Sequence, residues 1–194
     1  LLDWHELTDA ILAGHRMPRA EVADSFLYRE PDTLLSRAAW IDGMGSAVKT
    51  ATIFPENPAD HLPAINGALN LYSDDHGTLE AIVNFHLVTK WKTAADSLLA
   101  AKLLAPPNAN SILIVGAGTV ARSLREAYGA AFPHARFMVW NRSPAGAEDM
   151  ASHYPDTLVA TDLESAVMSS DIVTSATMTR SPILEGEWFR PGHH

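Results

Sequence analysis

The sequence has no cysteine. Disulfides and thiolate chemistry are therefore excluded, and the composition is compatible with a reducing, cytoplasmic setting. Basic residues are scarce: 14 Lys and Arg stand against 23 Asp and Glu, a formal net charge of −9, and no basic run exceeds two residues. Without a positive stripe, neither nucleic acid nor an anionic membrane surface is an expected partner. No apolar run approaches the roughly 18 residues of a membrane span, and Leu1 to Arg19 is too charged for a signal peptide. No metal site is expected. An initiator Met is also missing, and Pro191 to His194 falls in the middle of an expected alternation of strands and helices. The expectation is that more chain follows residue 194, and His193 and His194 are assigned no role.

What remains is an ordinary globular composition, 47% apolar and 19% charged, in a chain of 194 residues that suits one large or two small domains. Its organising stretch is Ser111 to Ala121, Ser-Ile-Leu-Ile-Val-Gly-Ala-Gly-Thr-Val-Ala. A short apolar run, two glycines and a helix-like pattern read as strand, tight turn and helix start. Gly116 permits the turn, Gly118 lets backbone approach a pyrophosphate, and Ala121 takes the third small position, where helix packs on strand. Ala117, Thr119 and Val120 complete the phosphate-facing turn, where free N–H groups and the helix dipole favour an anion.

The next apolar strand, Arg136 to Trp140, ends in Asn141-Arg142-Ser143, the place where a dinucleotide domain reads the adenosine ribose. Asn141 carries no charge to repel a 2′-phosphate and Arg142 is able to pair with one, so NADP(H) is favoured and NAD(H) stays possible. Further on, the pattern gives a helix over 144–153, a short strand over 157–160, a helix over 162–168 and a strand over 171–176. Such alternation implies a parallel sheet with right-handed crossovers. Ala176, Thr177 and Met178 follow at the carboxyl edge, where such sheets bind ligands.

Upstream, Leu1 to Ala13 reads as an amphipathic helix with Leu2, Leu7, Ile11 and Leu12 on its apolar face, ended by Gly14. Residues 18–32 mark strands poorly. Strands are expected around Leu34 to Trp40 and from Ala47 to Phe54, with a turn at Asp42-Gly43, then a hairpin of Ala68 to Tyr72 and Leu79 to Phe85. Period-2 alternation puts Lys49 on a face with Ala47, Ala51 and Ile53. Facing solvent it is an ordinary strand lysine; lining a pocket, it would anchor a substrate carboxylate. Thr89 to Leu104 reads as the clearest helix, with Lys90 and Lys92 in its first turn, where cations oppose the helix dipole and raise the question of a bound anion. The two prolines of residues 106–110 make a linker. The expected division is thus an antiparallel sheet with a helix over 1–105 and a dinucleotide-binding domain over 111–194.

Taken together these residues resemble the ornithine cyclodeaminase and mu-crystallin family of NAD(P)-dependent proteins. The resemblance rests on Val48-Lys49, Phe54-Pro55-x-Asn57, Leu62-Pro63, Thr93-Ala94-Ala95-x-Ser97, Gly116-Ala117-Gly118 and Asn141-Arg142-Ser143, in the family's order and spacing. It implies an α/β fold: a Rossmann-type dinucleotide-binding domain plus an α+β substrate and dimerisation domain, whose C-terminal part and catalytic aspartate are expected beyond residue 194. It implies a homodimer and a small amino or imino acid bearing a carboxylate. Lys49 matches the family's carboxylate-contacting lysine, and Lys92 stands where the family has an arginine. Thr93 joins the cofactor residues, and Arg37 is a candidate for a further substrate arginine because it is basic and next to the strand. Three activities remain open: NADPH-dependent reduction of cyclic imino acids such as Δ1-pyrroline-2-carboxylate, NAD-dependent ornithine cyclodeamination, and dinucleotide-dependent binding of a small molecule without turnover.

Overall fold

The computed structural model of the chain describes residues 2–179 and 181–194. Helix α1 runs Trp4–Gly14, and Leu1, expected in it, lies outside the described residues. Asp3 caps α1, its carboxylate accepting from the backbone N–H of His5 and Glu6 at 2.8 and 3.0 Å. The buried stripe of α1 is not the expected one. Trp4 and Thr8 are buried with Leu7 and Ile11 packed alongside, while Leu2 is exposed. Trp4 stacks on Trp91 with ring centroids 4.0 Å apart, an anchor that a reading restricted to aliphatic residues misses.

Five strands follow: β1 (Glu21–Arg29), β2 (Asp32–Ile41), β3 (Gly45–Ile53), β4 (Ile65–Tyr72) and β5 (Leu79–Asn84). They form one sheet in the order β1-β2-β3-β4-β5, each pair antiparallel. Asp74 ties the two tight connections of this sheet together, accepting from the Trp40 indole N–H at 3.1 Å and the Gly43 backbone N–H at 2.8 Å. Every residue of β1 is exposed, and apolar and polar residues mix on both of its faces. Without clean alternation the strand carries little sequence signal.

Helix α2 spans Phe85–Leu104. It begins four residues before the expected Thr89, because Asn84 accepts from the Leu87 N–H at 2.9 Å and so caps the helix directly at the end of β5. Phe85, expected in the strand, is the first helical residue. Lys90 and Lys92 therefore lie beyond the first turn, where the dipole argument for a bound anion does not apply.

The second sheet is the expected parallel one: β6 (Ser111–Val115), β7 (Arg136–Trp140), β8 (Thr157–Val159) and β9 (Ile172–Ser175), in the order β8-β7-β6-β9. Helices α3 (Thr119–Ala131), α4 (Pro144–His153) and α5 (Leu163–Met168) connect them. All of β6 is buried, as befits a strand covered on both faces. Asp162, expected as the first residue of α5, is its cap and accepts from the Ser165 N–H at 2.8 Å. His194 has a structural part that the sequence does not suggest. Its N–H donates to the Asp171 carbonyl at 3.0 Å and its carbonyl accepts from the Val173 N–H at 2.8 Å, a parallel bridge on the outer side of β9.

Two compact units result. One is 12–89, and the other joins 1–11 to 90–194, so the division falls inside α1 and α2 and not at the prolines of 106–110. The reason is packing: Ala94, Ala95, Leu98 and Ala101 of α2 are buried in one cluster with Ile112, Ile114, Ala121 and Leu124. Among the described residues no helix is long and apolar enough to cross a membrane.

Candidate functional site

In the second unit, strand order reverses at β6: β7 lies to one side and β9 to the other. Crossovers leave in opposite directions there and open a crevice at the carboxyl ends. The structure has a cleft of about 300 Å³ at this point. Gly116, Ala117 and Gly118 enter from β6, Trp140, Asn141 and Arg142 from β7, and Ala176, Thr177 and Met178 from β9. Eight of the expected cofactor residues are thus brought together. Trp140, Thr179 and Ile183 also line the cleft and were not singled out in the sequence. Trp140 is recoverable from its position as the last residue of a parallel strand; Thr179 and Ile183 sit in irregular chain with no such signal.

Gly116 has φ +111°, a conformation that disfavours any side chain, and a Cβ built on it would fall 2.5 Å from the Ala176 carbonyl oxygen. Gly118 differs. Its backbone is extended (φ −78°, ψ −173°) and a Cβ there would meet nothing within 4 Å. The space beside it is free for a ligand. Gly118 caps α3 without a side-chain acceptor, which leaves the N–H groups at Thr119 and Val120 for an anion. This cradle fits a dinucleotide pyrophosphate.

The Asn141 amide donates to the Ser143 carbonyl at 2.9 Å, shaping the turn into α4, which Ser143 caps. Arg142 is exposed at the cleft and makes no ion pair among the described residues. Thr93 is half-buried on α2 and does not line this cleft.

The basic candidates divide between the units. In 12–89, Lys49 is half-buried on β3 with its ammonium 5.2 Å from the centre of the Phe85 ring, a cation–π contact. Arg37 stands directly opposite Lys49 on β2, and its guanidinium is already engaged by Asp24. In the other unit, Lys92 projects from α2 and pairs with Asp96 one turn on, while Lys90 pairs with Glu126 at 2.7 Å. These pairs supply the counter-charges of both ammonium groups without a bound anion.

Residues 39–194 match the sequence model of the ornithine cyclodeaminase/mu-crystallin family. The chain belongs to that family. Among its relatives, the Δ1-pyrroline-2-carboxylate reductase of Paracoccus denitrificans is 46% identical over 198 aligned residues, covering 100% of this chain and 63% of that protein. The ketimine reductase mu-crystallin of Mus musculus is 33% identical over 147 residues, covering 75% of this chain and 47% of that protein. The chain therefore spans between about half and under two thirds of the length of these relatives. Among solved structures, Thermococcus litoralis Δ1-pyrroline-2-carboxylate reductase in complex with NADH and L-proline has a TM-score of 0.84 at 24% identity, over 100% of this chain and 64% of that one. An archaeal alanine dehydrogenase dimer with bound NAD gives 0.87 at 24%, over 100% and 62%. These likenesses show that the α/β architecture with a Rossmann-like unit is shared with structures that bind NADH and NAD.

Proposed function

We propose that this member of the ornithine cyclodeaminase/mu-crystallin family is an NADPH-dependent reductase of cyclic imino acids, of the type that converts Δ1-pyrroline-2-carboxylate to L-proline. The observation that carries this reading is the 46% identity to the Paracoccus denitrificans reductase across all of this chain. The ketimine reductase name of the mouse relative supports the same bond class, C=N. When bound, the dinucleotide supplies the reducing equivalent for the imine carbon. The chain's residues bind and orient. Gly118 and the first turn of α3 take the pyrophosphate, and Arg142 takes a 2′-phosphate beside uncharged Asn141, which is the basis for placing NADP(H) ahead of NAD(H).

Lys49 and Lys92 are each assigned to recognition of the substrate carboxylate. Lys49 has no carboxylate partner among the described residues, and a half-buried ammonium on an aromatic face is a pre-positioned point charge for one. Lys92 exchanges Asp96 for substrate at little cost, because an exposed pair one helical turn apart is worth only about 0.3–0.5 kcal/mol. A homodimer through the β1–β5 sheet is part of the proposal, supported by exposed Leu27, Leu34, Trp40 and Ile82, which share the face opposite to Lys49. A cytoplasmic location goes with the absence of cysteine.

The assignment is tested with Lys49→Ala and Lys92→Ala. Each is expected to raise KM for the imino acid more than about tenfold, since a charged hydrogen bond is worth about 1.5–3 kcal/mol. Wild-type kinetics in both variants would remove the carboxylate assignment, and ammonia release from L-ornithine with NAD would move the protein to the cyclodeaminases.

A further inference from the structure

Asp24, Arg37 and Lys49 stand directly opposite one another on β1, β2 and β3. In an antiparallel sheet, opposed side chains leave the same face about 5 Å apart at the Cβ atoms, so Arg37 and Lys49 put two positive charges side by side. Asp24 engages one of them. Arg37 donates from Nε to one carboxylate oxygen of Asp24 and from Nη2 to the other, both at 2.6 Å. This two-pronged grip is how an arginine holds any carboxylate, a substrate's included. The guanidinium holds the Asp24 carboxyl below its ordinary range, so the pair stays charged under physiological conditions. Among the described residues Lys49 faces the Phe85 ring and pairs with no carboxylate.

We propose that Asp24 acts as a built-in substitute for a second substrate carboxylate and makes this face selective for monocarboxylic imines over dicarboxylic ones. The inference rests on the reading of Lys49 as the carboxylate anchor. With the Arg37 fork closed, the face presents, among the described residues, Lys49 as its uncommitted cation, enough for one carboxylate. A dicarboxylate that reaches Lys49 meets Asp24 as a like charge and Arg37 as an occupied fork. Neutralising Asp24 opens Arg37 beside Lys49, which creates a two-cation site from residues already in place. If Asp24 serves only to relieve repulsion between Arg37 and Lys49, its neutralisation lowers stability and leaves substrate preference alone.

The test compares wild type, Asp24→Asn and the double variant Asp24→Asn with Arg37→Gln, each with NADPH. The readout is the ratio of kcat/KM for iminosuccinate, formed from oxaloacetate and ammonia, to kcat/KM for Δ1-pyrroline-2-carboxylate. Asp24→Asn is expected to raise that ratio at least tenfold, and adding Arg37→Gln is expected to abolish the rise. An unchanged ratio in Asp24→Asn overturns the proposal, whatever happens to the melting temperature. A second arm needs no turnover: with NADPH present, L-aspartate should stabilise Asp24→Asn against heat but neither the wild type nor the double variant. Absence of that gain also overturns the proposal. Failure of the wild type to reduce Δ1-pyrroline-2-carboxylate counts against the reductase reading alone, and the L-aspartate arm then decides on Asp24. Should Asp24→Asn not fold, Asp24→Ser removes the same charge and is read in the same way.

Discussion

A Cβ built on Gly116 would lie 2.5 Å from the carbonyl oxygen of Ala176, so the turn after β6 and the end of β9 are in contact through a position that admits only glycine. At Gly118, two residues on, the same addition meets nothing within 4 Å. Gly116→Ala is expected to lower the melting temperature and abolish NADPH binding together, because the turn itself must shift. Gly118→Ala is expected to leave the melting temperature of the cofactor-free protein within about 2 °C of wild type while weakening NADPH at least tenfold. Calorimetry with and without NADPH separates the two. Equal stability losses in both variants would contradict a cradle at Gly118.

Cofactor preference is expected to follow the turn after β7. Arg142→Ala should raise the Kd for NADPH about tenfold or more, the cost of a charge-assisted hydrogen bond, and leave NADH nearly unchanged. Asn141→Asp should weaken NADPH further by like-charge repulsion while favouring NADH. Fluorescence titration with both dinucleotides checks this. Equal effects on both would place the 2′-phosphate elsewhere.

Arg125 is the residue whose loss should damage the dinucleotide unit most without touching the cleft. Its side chain is buried, donates from Nε to Thr157 Oγ1 at 2.8 Å, pairs with Asp156 and lies 3.7 Å from the centre of the Phe137 ring. Arg125→Ala strips the buried Thr157 of its donor and Phe137 of its cation, for an expected loss of about 2–4 kcal/mol. Gly129→Ala should act on the same group, since a Cβ there would collide with Nη1 of Arg125. Urea denaturation measures both. Unfolding midpoints equal to wild type would contradict the assigned role.

Stability at acid pH should depend on Asp171. Its carboxylate accepts from the Asn110 N–H at 2.9 Å, the Ser111 N–H at 3.1 Å and the Ser111 hydroxyl at 2.7 Å, and these bonds, the Asn110 N–H foremost, hold its pKa below the usual carboxylate value. A carboxylate with a depressed folded-state pKa stabilises the fold above its unfolded pKa of about 3.9 and loses that contribution as pH falls through the folded value. Asp171→Asn should therefore be less stable than wild type at pH 6, with the difference shrinking below about pH 4. Melting temperatures across pH 2.5–6 check the sign; a difference constant across that range would contradict it.

The dinucleotide unit was the more legible half of the sequence. Its central strand is a continuous apolar run because both faces are covered, and Gly116 is forced by its contact with Ala176, which no other residue satisfies. The start of α2 was hidden because one short residue, Asn84, ends a strand and caps a helix at once. That single bond moves Lys90 and Lys92 out of the first turn. Strand β1 was hidden because neither of its faces is buried, so nothing selects for alternation. The Asp24–Arg37 pair was out of reach for a different reason. It depends on register between strands whose partners are 13 residues apart, and a one-residue slip would send Arg37 to the other face.

Imine reduction is tested by mixing the purified protein with NADPH and Δ1-pyrroline-2-carboxylate, following absorbance at 340 nm and quantifying L-proline. One L-proline per NADPH oxidised is expected, with NADH a poorer donor. Absence of NADPH oxidation and of L-proline, from a protein that melts cooperatively and binds NADPH, would contradict it.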